Sequence, residues 1–232
     1  MIAGILFDKD GTLFDFEASW SGWAADVLAE LAGGEAALAS DLGARIGFDI
    51  EKVRFRPDSV AIAGTLDETA RALLPGLPDW ELSRLNAYLT VAAAEARMAE
   101  AVPLAPYLAG LRASGLRLGV ATNDAETPAR AHLAAAGVLD AFDYVAGADS
   151  GYGAKPDPGM CLGFATTLNL PPERVVMVGD SRHDLHAAAA AGMVGVGVLT
   201  GMATAADLED LAHVVLPDIG HIPGWLDNTQ AR

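Results

Sequence analysis

The chain has 232 residues, 52% of them apolar and 20% charged, which is the composition of a folded globular protein rather than a disordered or fibrous one. With 31 acidic and 15 basic side chains its formal charge is −16, and that excludes nucleic acid as the expected partner, because phosphate-backbone binding draws on a basic face. A single cysteine, Cys161, excludes an intrachain disulfide and a cysteine-held zinc site, and points to a reducing, cytoplasmic setting.

The first predicted element is a strand over residues 2–7, apolar on consecutive positions. It lacks the basic flank of a secretory leader and runs directly into Asp8-Lys9-Asp10-Gly11-Thr12-Leu13-Phe14-Asp15. Side chains two apart in an extended segment share a side, so Asp8 and Asp10 can address one target while Lys9 points away, and Gly11 lets the chain turn sharply after them. A solvated acidic turn is the competing reading of this pair.

Residues 16–101 follow a different rhythm, with no strand pattern. Helices are predicted over 20–31, 35–46 and 66–74 and along most of 79–100, with Thr65 and Glu68 forming a T-x-x-E capping box for the third. Trp20 and Trp23, three apart, read as a buried stripe. Arg45, Arg54 and Arg56 form a basic cluster that could draw an anion into an acidic protein, and Arg45 is taken as a candidate substrate-binding residue.

From residue 102 onward, apolar runs at 116–121, 142–146, 175–178 and 194–199 alternate with helical stretches at 104–113, 128–136, 158–168 and 184–191. Runs without polar alternation suit a parallel sheet covered on both faces. Gly115, Gly137 and Gly192 stand where helix C-caps are expected. The uncharged segments on either side of Gly192 split into an Ala-rich helix and a Val-rich strand, so no membrane span is predicted. The fold class is therefore α/β: a Rossmann-like three-layer core with a parallel sheet, formed by 1–15 and 102–232, plus an inserted all-helical cap over 16–101.

Three further segments at strand ends carry chemistry. Gly179-Asp180-Ser181-Arg182-His183-Asp184 adds carboxylates, although Asp184 also reads as a helix cap. Oxygen ligands of this kind favour Mg²⁺, and several aspartates crowded together without a cation would repel one another. Thr122-Asn123-Asp124 offers a hydroxyl and backbone N–H groups for phosphate oxygens, or is an ordinary turn. Lys155 lies in the stiffened loop Gly153-Ala154-Lys155-Pro156-Asp157-Pro158. His183 and His186 have no third partner for a metal, His132, His213 and His221 show no constellation, and Cys161 reads as a core filler.

The order and spacing of these four motifs, with an insert after the first, resemble the haloacid dehalogenase superfamily in its helical-cap branch, and within that branch the phosphoglycolate phosphatases. The resemblance implies that Asp8 is a nucleophile forming an aspartyl-phosphate and that Asp10 is the general acid and base. It implies that Thr122, Asn123 and Gly11 hold the phosphoryl group, with Lys155 beside Asp8. Mg²⁺ would be bound by Asp8, the Asp10 carbonyl and Asp180, with Asp184 acting through water. The expected function is hydrolysis of a small phosphorylated metabolite such as 2-phosphoglycolate, by a monomer or homodimer. A phosphosugar mutase of the same superfamily and a non-catalytic scaffold for phosphorylated ligands are the alternatives.

Overall fold

The computed structural model describes residues 1–230. In chain order, β1 (Gly4–Phe7) leads into an insert made of α1 (Phe16–Leu31), α2 (Ala36–Ile46), a hairpin of β2 (Phe48–Asp49) and β3 (Arg54–Phe55), α3 (Val60–Ala63), α4 (Leu66–Leu73) and α5 (Leu82–Ala94). Strand and helix then alternate through α6 (Leu104–Ala113), β4 (Arg117–Ala121), α7 (Glu126–Ala135), β5 (Tyr144–Ala146), α8 (Gly159–Thr167) and β6 (Val175–Gly179). The chain closes with α9 (Arg182–Ala191), β7 (Val194–Val198), α10 (Ala205–Leu208), β8 (Val214–Leu216) and α11 (Ile222–Gln230).

The six long-range strands form one parallel sheet in the order β5-β4-β1-β6-β7-β8. Successive strands run outward on one side of β1 and then return to run outward on the other, so the order reverses at β1. In open α/β sheets that reversal, at the carboxyl ends of the strands, opens the crevice in which ligands bind.

The uninterrupted apolar runs have a simple cause. Ile5, Phe7, Val176 and Val178 bury into one cluster with α6, α7 and α11, while Leu6, Val175 and Met177 bury into a second with α8 and α9. Both faces are covered, so both parities must be apolar. Cys161 lies in the second cluster, where burial pushes its thiol up to about 12 and away from nucleophilic use. Gly119 belongs to the same packing, because a Cβ there would run into the Phe164 ring.

The insert has a hydrophobic cluster of its own, centred on Leu28, Leu42, Leu73, Leu85 and Leu89. Its two connections run side by side: the Asp15 amide donates to Ala99 O at 2.8 Å and the Ala101 amide to Leu13 O at 3.0 Å. Asp15 also caps α1, accepting from the Ala18 amide at 2.8 Å, so the helix starts immediately after the first motif, four residues earlier than its sequence pattern indicates. The Thr65–Glu68 capping box forms at α4. The reading of the insert as free of strands is corrected by β2 and β3, two residues each and too short to carry a periodicity. No helix among the described residues is long and apolar enough to cross a membrane.

Candidate active site

Three neighbouring strands deliver the first groups. Asp8 follows β1, Thr122 follows β4 and Asp180 follows β6, and the Asp8 amide donates to Val178 O at 2.8 Å, which locks the β1 and β6 ends together. Lys155 reaches in from the loop after β5. Its buried Nζ donates to Ala121 O at 2.8 Å and lies 2.7 Å from Asp8 Oδ1 and 2.6 Å from Asp184 Oδ1. The helix N-cap is Ser181 rather than Asp184: Asp184 closes the capping box from the third helical position, accepting at Oδ2 from the Ser181 amide and hydroxyl, and its other oxygen faces Lys155.

Carboxylate oxygens of Asp8, Asp180 and Asp184, all buried, lie within 4.8 Å of one another. One ammonium against three carboxylates leaves a net negative site in a poorly solvated place. Burial first, and then the neighbouring Asp184 and Asp10, raise the Asp8 carboxyl to about 7 despite Lys155, and burial with Asp184 and Asp8 holds Asp180 well above the ordinary range. Such a donor set, oxygen-only and under-compensated, fits a hard divalent cation. Two glycines shape it: a Cβ at Gly11, whose φ is +75°, or at Gly201 would collide with the Asp180 carboxylate.

Asp10 is held differently. Its Oδ1 accepts from Lys9 Nζ at 2.7 Å and from Trp20 Nε1 at 2.8 Å. Lys9 is fully buried, 3.2 Å from Asp124 Oδ2 and 3.1 Å from His132 Nδ1. The expectation that Lys9 points away is therefore corrected: it does not face Asp8, yet it anchors Asp10. Trp20, read as core stripe alone, is also a donor to the site. His132, which showed no constellation in the sequence, joins Lys9 to Ala93 O through Nε2 at 2.7 Å. These partners come from α1, α7 and the end of α5, so only the folded chain assembles them.

Thr122 is buried at the sheet edge and its hydroxyl accepts from the Asp124 amide. The Asn123 side chain accepts from the Lys155 amide at 2.8 Å and donates to Lys155 O and to Ala63 O, both at 2.9 Å, so it ties the lysine loop to the cap. Arg45 is not among the residues lining the site: it pairs with Asp41 at 2.7 Å one turn away on α2, where both residues are exposed. Arg56 likewise turns to Asp58 and Ala44 O.

A family model for haloacid dehalogenase-like hydrolases matches residues 2–192. The chain belongs to the haloacid dehalogenase-like hydrolase family. It is 35% identical over 195 residues to a phosphoglycolate phosphatase of Nitrosospira multiformis, covering 82% of this chain and 80% of the relative. A probable phosphatase, IndB, of Dickeya dadantii is 40% identical over 111 residues, about half of each chain. Among solved structures, a putative haloacid dehalogenase-like hydrolase from Bacteroides fragilis superposes with a TM-score of 0.73 at 23% identity, covering 96% of this chain and all of that one. A putative β-phosphoglucomutase from Thermotoga maritima gives 0.69 at 23% identity, covering 98% and 99%. At these identities the two structures speak for the fold.

In this haloacid dehalogenase-like hydrolase the aspartate cluster opens into a cleft between sheet edge and cap. The sheet side contributes Asp8, Asp10, Thr122, Asn123, Lys155 and Asp180. The opposite wall is built chiefly from Phe16, Trp20, Trp23, Phe55, Ile62 and Leu66. His183 lies at the same cleft, its Nδ1 3.3 Å from Ala63 O.

Proposed function

We propose that the chain is a Mg²⁺-dependent phosphatase of small phosphomonoesters that works through an aspartyl-phosphate on Asp8. The observation that carries this reading is the pairing of two carboxyl groups in unlike surroundings on one strand end. Asp8 sits in the carboxylate cluster against Lys155, whereas Asp10 is pinned by two donors on Oδ1. The family places the chain among hydrolases, and the relatives named as phosphatases support the phosphomonoester class.

In the first step an Asp8 oxygen attacks phosphorus and the ester P–O bond breaks. Asp10 gives its proton to the departing alkoxide through Oδ2, the oxygen that neither Lys9 nor Trp20 occupies. In the second step Asp10 takes a proton from water, the water oxygen bonds to phosphorus, and the acyl-phosphate bond breaks to return the Asp8 carboxylate and release phosphate. Lys155 holds Asp8 in place and balances charge on the transferring group, as positioning and electrostatics carry most of phosphoryl transfer. Mg²⁺, held by Asp8, Asp180 and the Asp10 carbonyl with Asp184 behind, would supply the positive charge that keeps Asp8 ionised and screens the phosphoryl oxygens. Thr122 stands at the strand end where those oxygens are expected.

The mutase alternative requires a hold on a second phosphate, and among the described residues no arginine or lysine of the cap lines the cleft. Replacement Asp8→Asn tests the hydrolytic reading: phosphate release from p-nitrophenyl phosphate should fall by roughly 10⁴-fold or more. Retained turnover in that variant would remove Asp8 as nucleophile.

A further inference from the structure

The cleft is divided by chemistry. Every basic side chain near the phosphoryl end is already engaged: Lys155 by Asp8, Asp184 and Ala121 O, and Lys9, fully buried, by Asp10 and Asp124. The cap brings no other. Arg45 pairs with Asp41, Arg56 with Asp58, Arg71 with Asp67, Lys52 with Asp49, and Arg84 lies over the Trp80 ring 4.2 Å from its centroid. None of these residues lines the cleft, nor do Arg54 and Arg97, the remaining basic side chains of the cap. His183 is the one further basic side chain there, and its Nδ1 is turned to Ala63 O.

The wall that would face a leaving group is aromatic and aliphatic. Trp23 packs edge-on to Trp20, with ring centroids 4.9 Å apart, and Trp20 is itself fixed to Asp10. Phe16 and Phe55, which also line the cleft, pack edge-on at 5.3 Å. Trp23 Nε1 is buried and has no hydrogen-bond partner, although Trp23 lines the cleft.

From this arrangement we infer that the preferred substrate is a phosphomonoester of an uncharged, largely apolar alcohol carrying a planar ring. The inference rests on the phosphatase reading above and names its substrate class. A second anionic group, such as the carboxylate of 2-phosphoglycolate, would be removed from water against aromatic walls with Asp10 and Asp124 on the same side and no free cation to meet it. A flat apolar ring would instead bury its surface against Trp23, Phe55 and Ile62.

The test compares kcat/KM for 2-phenylethyl phosphate and 2-phosphoglycolate, both esters of alkyl alcohols, with p-nitrophenyl phosphate as a reporter of phosphoryl chemistry. The wild type should favour 2-phenylethyl phosphate by on the order of 100-fold. Ile62→Arg, which places a cation in the cap wall, should shift the ratio toward 2-phosphoglycolate by at least about tenfold, with circular dichroism and a cooperative thermal unfolding transition reporting that the variant is folded. Equal or greater efficiency of the wild type on 2-phosphoglycolate overturns the substrate class while leaving the phosphatase standing. No phosphate release from any of the three by the wild type with Mg²⁺ overturns the phosphatase reading, and the substrate class falls with it.

Discussion

Asp10 shows how much of the site's chemistry depends on which oxygen a neighbour occupies. Lys9 and Trp20 both donate to Oδ1, so the carboxyl cannot swing and its proton exchange is confined to Oδ2. Trp20→Phe keeps the ring in the cleft and deletes one donor to a charged group, so kcat on p-nitrophenyl phosphate should drop about tenfold while KM moves less than about threefold. An unchanged kcat would mean that the indole N–H has no part in positioning. At Asp8 the relevant quantity is the proton. With its carboxyl near 7 and that of Asp180 raised as well, a cation must displace protons to bind. Mg²⁺ affinity should therefore rise by at least about tenfold per pH unit below 7, with proton release seen as a buffer-dependent calorimetric heat. A pH-independent affinity between 5.5 and 7 would contradict the carboxylate cluster as the ligand set.

Elements set these residues in place, and the sequence discloses them unevenly. Strands buried on both faces, such as β1 and β6, announce themselves by unbroken apolar runs, and the capping box at α4 by two residues at fixed spacing. Short elements held by tertiary contact leave no such trace: β2 and β3, α3, and the half-buried edge strand β8, beyond which α11 begins with a proline in its first turn. The same division runs through the site. Asp8, Asp180, Asp184 and Lys155 meet because strand ends and a helix start bring motif residues together, and those are local features. The contributions of Lys9, Trp20, Asp124 and His132 require knowing that α1, α7 and α5 converge, which no local pattern encodes. Arg45 misled because a charge cluster in sequence need not share a face of the fold. At this scale Asn123→Ala should release α3, whose Ala63 carbonyl it holds: amide exchange across 59–66 should accelerate while the sheet stays protected. Unchanged exchange there would show that α3 is fixed by its other contacts.

Across the whole molecule, His132 links cap and core. Its ring sits between Lys9 and Ala93 O, and burial with the nearby ammonium lowers its pKa from 6.5 to about 4. The unfolded chain therefore binds a proton that the folded chain refuses between those values, and stability falls as pH drops through that window. The loss at pH 5 should be about 2 kcal/mol relative to pH 8, measured as the difference between wild type and His132→Asn in urea unfolding at both values. Parallel pH profiles for the two proteins would contradict a neutral buried histidine. The acidic excess of the chain likewise acquires a purpose in part, since three of its carboxylates, at Asp8, Asp180 and Asp184, are gathered at one strand edge where they could hold a cation. The central claim, that Asp8 carries the phosphoryl group, is tested most directly by acid quench during turnover of radiolabelled p-nitrophenyl phosphate with Mg²⁺, followed by peptide mapping. The label should be found on the peptide containing Asp8 and be absent from Asp8→Asn; steady turnover with no label at Asp8 would contradict the account.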